Sequence, residues 1–344
     1  QETHQEAVGL IFGYIRDSVS PEGEDLEGAY MYQRMNQTWC REALDDVRQT
    51  DDVPGDIDDR VRLMSNVLAY ARDYGGNTAQ YGDSNSVVGK PVKIGDPLPS
   101  PENGHQTIQP LRIYPEAGVA FLRAEPGGDV TRGVFVMLRI NPVGQRQIHA
   151  HNDHGQVLIS IGDSQVLKDS GRYTYGGHPR STYLKSAQAH SVATASQPEL
   201  VNQDVRGSFT WSLEGQTFRA ISCKARYDQD TTWYRTVVLH DCGQVDIYDY
   251  WDSSTHKSFT TYWQVGDYNV EDISEDGWVL AGENLPTVRV QTNQPSSEIT
   301  VQRGQTEPHA GFRSDRYQEF KPSKRIRRES PRFRGWTITT FLIQ

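Results

Sequence analysis

The chain has 344 residues, a length that implies about two domains at the usual ~150 residues each. Hydrophobic residues make up 35% and charged residues 23%, enough apolar material for cores in a chain this long, which excludes global disorder. Acidic residues number 45 against 35 basic ones, which argues against general nucleic-acid binding, and no run approaches the ~18 apolar residues of a membrane span.

In chain order, roughly the first 85 residues read as helices. Ala7, Leu10, Ile11, Tyr14 and Ile15 follow amphipathic spacing. Met31, Met35, Trp39, Ala43 and Val47 form a second stripe. Asp56 is placed to cap a third helix with Ile57, Val61, Met64 and Leu68 on one face. Residues 81–104, with Pro97-Leu98-Pro99-Ser100-Pro101, form a connector, and a domain boundary is expected there. The domains are therefore 1–104, a helical segment with its connector, and 105–344. From Leu111 the pattern turns to short strands: Gly118–Arg123, Val134–Ile140, Val157–Ile161, Gln165–Lys168, Thr217–Arg226, Tyr234–His240 and Val245–Tyr250. Gly162-Asp163 and Cys242-Gly243 are turn signals, and the spacing suggests a large all-β sandwich. The fold class expected is multidomain α+β. The Arg- and Lys-rich stretch from Arg313 to Arg334 reads as a solvated basic face. Three cysteines exclude a disulfide scaffold; Cys223 and Cys242 could pair, with free thiols the alternative. No signal-peptide core is present, and the chain starts at Gln1, as a processed or shortened chain would.

Of ten histidines, five (His149, His151, His154, His178 and His190) fall within 42 residues, where even spreading would place about one. In extended chain His149 and His151 share a face. Two imidazoles on one face suit a metal or an anion, with scattered structural histidines as the alternative. A turn centred on Gly162 pairs Asp169 with about residue 156, so the His-rich segment must fold back for His151 to meet Asp169.

The run from Gly144 to Ser191, with its H-x-H-x-D string, short hairpin, D-x-G-x-Y-x-Y, Tyr183 and Ala189-His190, resembles the C-terminal sheet domain of the heparinase II/III-like polysaccharide lyases. Glu27-Gly28-Ala29-Tyr30-Met31-Tyr32-Gln33-Arg34 is similar to the E-G-x-x-Y segment of that family's helical toroid, closest to its oligoalginate-lyase variety. Tyr81-Gly82-Asp83-Ser84 is similar to a motif near the toroid's end. The resemblance implies the C-terminal part of an (α/α) toroid followed by an antiparallel β-sandwich, and a lyase that cleaves a uronate polysaccharide (alginate, glycosaminoglycan or exopolysaccharide) by β-elimination. It assigns Tyr32 as acid/base, His149 as carboxylate neutraliser and Tyr183 as a second catalytic tyrosine. Tyr30, Arg34 and Tyr175 become substrate-binding candidates, and His151, Asp169 and His190 ligands of a structural zinc ion (Zn2+). It implies secretion or a periplasmic location. A uronate C5-epimerase and a non-catalytic carbohydrate-binding subunit are the alternatives. Only about 25 residues precede Glu27, which departs from the family's longer toroid, so another chain supplying the front of the toroid is a candidate partner.

Overall fold

The computed structural model describes residues 2–100, 106–143, 148–195, 205–227, 230–254, 258–293, 298–330 and 334–344. The expected boundary at 104 and residues 144–147 of the His-rich run lie outside them. Three helices come first: α1 (Glu2–Ser18), α2 (Tyr30–Val47) and α3 (Gly55–Tyr70). Two antiparallel sheets follow. Among the described residues the first has nine strands, in the order 111–114, 119–124, 134–139, 156–161, 164–167, 259–265, 324–330 and 298–303, with 193–195 beside 259–265. The second has eight, in the order 269–274, 277–281, 288–292, 334–343, 245–253, 231–240, 218–226 and 207–214. This is the expected α+β class with its large sandwich.

Period-two geometry explains the layering. On Val119–Ala124 and Val134–Arg139, Ala120, Leu122, Ala124, Val134, Val136 and Leu138 face the second sheet, joining Ile221, Val237, Ile247 and Phe341 in one core. The alternate residues Val119, Phe121, Phe135 and Met137 face the other way and pack on Tyr30, Val67, Tyr70 and Tyr81 of the helical segment. Strands 119–124, 134–139 and 156–161 are thus buried on both faces. Arg123 reinforces the junction: its buried guanidinium donates to the carbonyls of Tyr70 and Val92 at 2.9 and 3.2 Å.

Several sequence expectations need correction. The α3 stripe is buried as expected, but Leu10 of α1 is 75% exposed and Trp39 of α2 is 55% exposed. The buried face of α2 runs through Gln33, Asn36, Cys40, Leu44 and Val47. Two polar residues hold it because they are satisfied: Gln33 donates to the Gly23 carbonyl at 2.7 Å, and Asn36 donates to Asp25 at 2.6 Å. Asp56 lies in the first turn of α3 without a capping bond and pairs with Arg16 at 3.0 Å. The basic stretch contributes a strand, Lys324–Ser330, and buries Arg313, Arg325 and Arg328. Arg325 donates to Gln302 and to the Gln188 carbonyl and lies 4.8 Å over the Tyr262 ring. Cys40, Cys223 and Cys242 are all free thiols.

Candidate active site

The start of α2, the 81–84 turn and the His149 segment converge through tight backbone contacts. The His149 N–H donates to the Glu27 carbonyl and the Asp83 N–H to the His149 carbonyl, both at 2.9 Å. The Ser84 hydroxyl accepts from the Met31 N–H at 3.2 Å. Gly82, at φ +58°, makes this approach possible: a Cβ there would sit 2.3 Å from the Gly28 carbonyl oxygen and 2.5 Å from that of His149.

His149 then stacks on Tyr32, ring centroids 3.6 Å apart and planes within 10°. The Tyr32 hydroxyl is 2.6 Å from the Tyr175 hydroxyl, and Arg172 donates to the latter. The Arg172 guanidinium also lies 4.7 Å over the Tyr175 ring and 5.2 Å over Tyr317. His149 is flanked by carboxylates, with Nδ1 at 3.1 Å from Asp83 and Nε2 at 3.5 Å from Glu27. Asp83 is buried and gathers two further partners, His151 Nε2 at 3.1 Å and Lys185 Nζ at 3.2 Å. Burial opposes its charge, but the hydrogen bonds from His149 and His151 and the Lys185 cation outweigh it, holding the Asp83 carboxyl well below the usual range. Burial raises the Tyr32 hydroxyl pKa well above its usual value. The Tyr175 hydrogen bond adds to this, and the Arg172 charge opposes it.

Behind this group, His190 Nδ1 is 3.1 Å from Asp169 and 2.7 Å from Gln156, and Gln156 donates to Asp169 at 2.8 Å. The chain does fold back: Asn152 N–H donates to the Lys185 carbonyl and Val157 N–H to that of Ser191. Burial disfavours both charges of the His190–Asp169 pair. Their attraction outweighs it, lowering the Asp169 pKa and raising that of His190. The His151 and His190 rings are 5.3 Å apart, and the buried His151 Nδ1 and His190 Nε2 have no hydrogen-bond partner. Among the described residues no group of three or more His, Cys, Asp or Glu side chains is arranged to hold a metal ion.

The other candidates fall elsewhere. Tyr183 is buried against Leu184, Ala189 and Phe312, and its hydroxyl accepts from the Gly311 N–H at 3.0 Å. Tyr30 is buried in the core between helices and sheet. Arg34 is exposed on another face of α2, lining an apolar groove of about 370 Å³ with Met31, Met35 and Trp39. Sequence reasoning did not single out Asp83, Arg172, Glu27 or Lys185 as site residues. Asp83, Arg172 and Glu27 lie inside the Y-G-D-S, D-x-G-x-Y-x-Y and E-G-x-x-Y strings, which are the available signal; Lys185 lies in none of them.

The family model "Heparinase II/III-like, C-terminal" matches residues 108–335. The chain belongs to this family. Solved structures of similar fold include a heparinase III, the BT4657 gene product (TM-score 0.80, 13% identity, covering 98% of this chain and 54% of that one). The heparan sulfate lyase HepC from Pedobacter heparinus aligns with TM-score 0.79 and 15% identity, over 99% of this chain and 55% of that one. The heparinase II/III-like chain thus spans about half the length of these structures, and at such identities the likeness shows the fold. No curated protein matches by sequence. No helix among the described residues is long and apolar enough to cross a membrane.

Proposed function

We propose that the site belongs to a polysaccharide lyase that cleaves a uronate-containing polymer by β-elimination. The observation that carries this reading is Tyr32, stacked on His149 with its hydroxyl 2.6 Å from that of Tyr175. In the reaction the C5 proton of a uronate leaves, the C4–O4 bond breaks, and O4 takes a proton, giving a 4,5-unsaturated uronate. Charge builds on the uronate carboxylate as C5 loses its proton, and stabilising such charge is usually the largest catalytic term. His149 takes that role through Nε2, where the substrate carboxylate must displace or join Glu27. Asp83 and the two backbone bonds to His149 orient the imidazole. Tyr32, held protonated, is placed to give its proton to O4, while Tyr175 in its phenolate form, beside the Arg172 cation, takes the proton from C5; transfer of that proton from Tyr175 back to Tyr32 across their 2.6 Å contact resets the pair. Tyr175, rather than Tyr183, serves as the second tyrosine, because Tyr183 Oη is engaged by Gly311. Tyr30 and Arg34 are left to packing and to the groove of α2.

Uronate polymers include alginate, exopolysaccharides and glycosaminoglycans, and heparan sulfate, the polymer for which the Pedobacter heparinus lyase is named, joins them. Such polymers fit a secreted or periplasmic protein. The test is a panel of these polymers, following ultraviolet absorbance of the unsaturated product. Tyr32→Phe should lower kcat by about 10²-fold or more with substrate binding little changed. Solvent isotope entering C5 with chain length intact would instead assign the epimerase. Binding without either product would assign a non-catalytic carbohydrate-binding subunit.

Zinc at His151, Asp169 and His190 is a separate proposal: His151 Nδ1 and His190 Nε2 are buried nitrogens that lack partners, and Asp169, which meets His190 at Nδ1, would have to turn from that nitrogen to join them. A bound ion would tie the loops that carry these residues and stabilise the fold. Metal analysis should find about one zinc per chain, lost in His151→Ala and kept in His149→Ala. Absence of zinc, with a melting temperature indifferent to chelator, would sink it.

A further inference from the structure

The outward face of the eight-stranded sheet carries an aromatic row remote from the candidate site, since the helices lie beyond the other sheet. Register sets Trp336 opposite Tyr250, Tyr250 opposite Tyr234, and Tyr234 opposite Lys224, across four successive strands. Strands lie ~4.8 Å apart, so the row advances by about one pyranose ring per strand. Trp336 is 52% exposed, Tyr250 38% and Tyr234 37%. The two tyrosine rings lie 6.1 Å apart, tilted by 40°. In the adjacent row two more exposed aromatics appear, Tyr248 opposite Thr236 and Trp211 opposite Ser222.

Packing dictates this outward set. The intervening residues Trp233, Val237, Ile247 and Trp251 are buried, so a one-residue slip would put the core in water. Five exposed aromatic residues on one face form a patch that calls for a partner. The row itself offers flat rings with polar tips, which suit a surface that is apolar on one side and hydroxylated on the other. The C–H faces of pyranose rings have that character. The row ends in exposed Lys224, and the next row has exposed Arg226, opposite Thr232, which itself faces Asp252. The Lys224 cation at that end complements an anionic sugar.

We propose that this row is a second polysaccharide-binding surface, on which successive rings of a uronate polymer stack while Lys224 meets a charged substituent. The polymer class rests on the reading of the active site; the stacking face does not. The test uses the full chain in affinity electrophoresis through gels holding each uronate polymer of the panel, with neutral hydroxyethylcellulose for comparison. At least one uronate polymer should retard the wild type. The exposed pair Tyr250→Ala/Trp336→Ala should lose about tenfold or more in affinity, as two stacking contacts are removed. Lys224→Glu should weaken retention by the anionic polymers, and Tyr32→Phe should leave the row's contribution intact. If the double variant melts early, the single Trp336→Ala carries the same comparison. Retention of the double variant equal to wild type, no retention of the wild type by any polymer, or a wild-type dimer that the double variant dissolves would each overturn the proposal. Retention that persists when no polymer is cleaved would support it while counting against the lyase reading, so the two fail separately.

Discussion

Asp83→Asn tests the electrostatic centre of the site. Asp83 is 1% exposed and accepts hydrogen bonds from His149, His151 and Lys185 at 3.1, 3.1 and 3.2 Å. Bonds to charged groups contribute about 1.5–3 kcal/mol each, but Lys185 is more than a third exposed and is discounted for screening. Asparagine keeps the shape and one acceptor but turns an N–H toward an imidazole, so a net loss of about 3 kcal/mol is expected. At about 2 °C per kcal/mol for a chain of this size, Tm should fall by about 6 °C at neutral pH. The pH dependence sharpens the test. A carboxyl whose folded pKa is depressed contributes fully above its unfolded value of ~3.9 and loses that contribution as pH falls through the folded value. The Tm gap between wild type and variant should therefore be widest at neutral pH and close in strong acid. Turnover should fall by up to about 10²-fold, because His149 loses the partner that orients it. Calorimetry across pH and the unsaturated-product assay measure both. A variant with unchanged Tm at neutral pH, or a gap that widens in acid, would refute the reasoning.

Glu27→Gln removes a carboxylate 3.5 Å from His149 Nε2 and should tighten binding of an anionic substrate, lowering KM by about 2–5-fold, read from initial rates. Gly82→Ala should destabilise by more than ~3 kcal/mol or abolish folding, since its Cβ would strike two backbone carbonyls; soluble yield and denaturant midpoint check this. Burial pushes the Glu24 and Asp25 carboxyls up to about 7, so their contribution to stability is full below their unfolded values and is lost as pH rises toward 7. Asp25→Asn should flatten that part of the Tm–pH curve.

The fold class was legible because strand-length apolar runs and turn residues recur after Leu111. Local pattern misled where burial is polar. Gln33 and Asn36 look like solvent residues until Gly23 and Asp25 are seen beneath them. Arg325 reads as surface charge until Gln302, Gln188 and Tyr262 are placed around it. In each case the partner that makes burial tolerable belongs to another segment, and periodicity reports only on the segment itself.

The same limit shaped the reading of the site. His149 and Tyr32 stood out because each sits in a dense local string. Asp83 did not, because its role exists only through a histidine 66 residues away, and the Tyr32–Tyr175 contact spans 143 residues. What joins these segments is backbone: Gly82 lets the Gly28 and His149 segments close within the space a methyl group would fill. Tyr32 comes from a helix, whereas His149 and Tyr175 come from loops of the sheet domain. Their alignment therefore depends on helices docked against the sheet through Tyr30, Tyr70, Phe121 and Phe135. A loosened docking face should then cost turnover before it costs secondary structure, because a tyrosine stacked at 3.6 Å tolerates little displacement while the sandwich core lies on the sheet's other side.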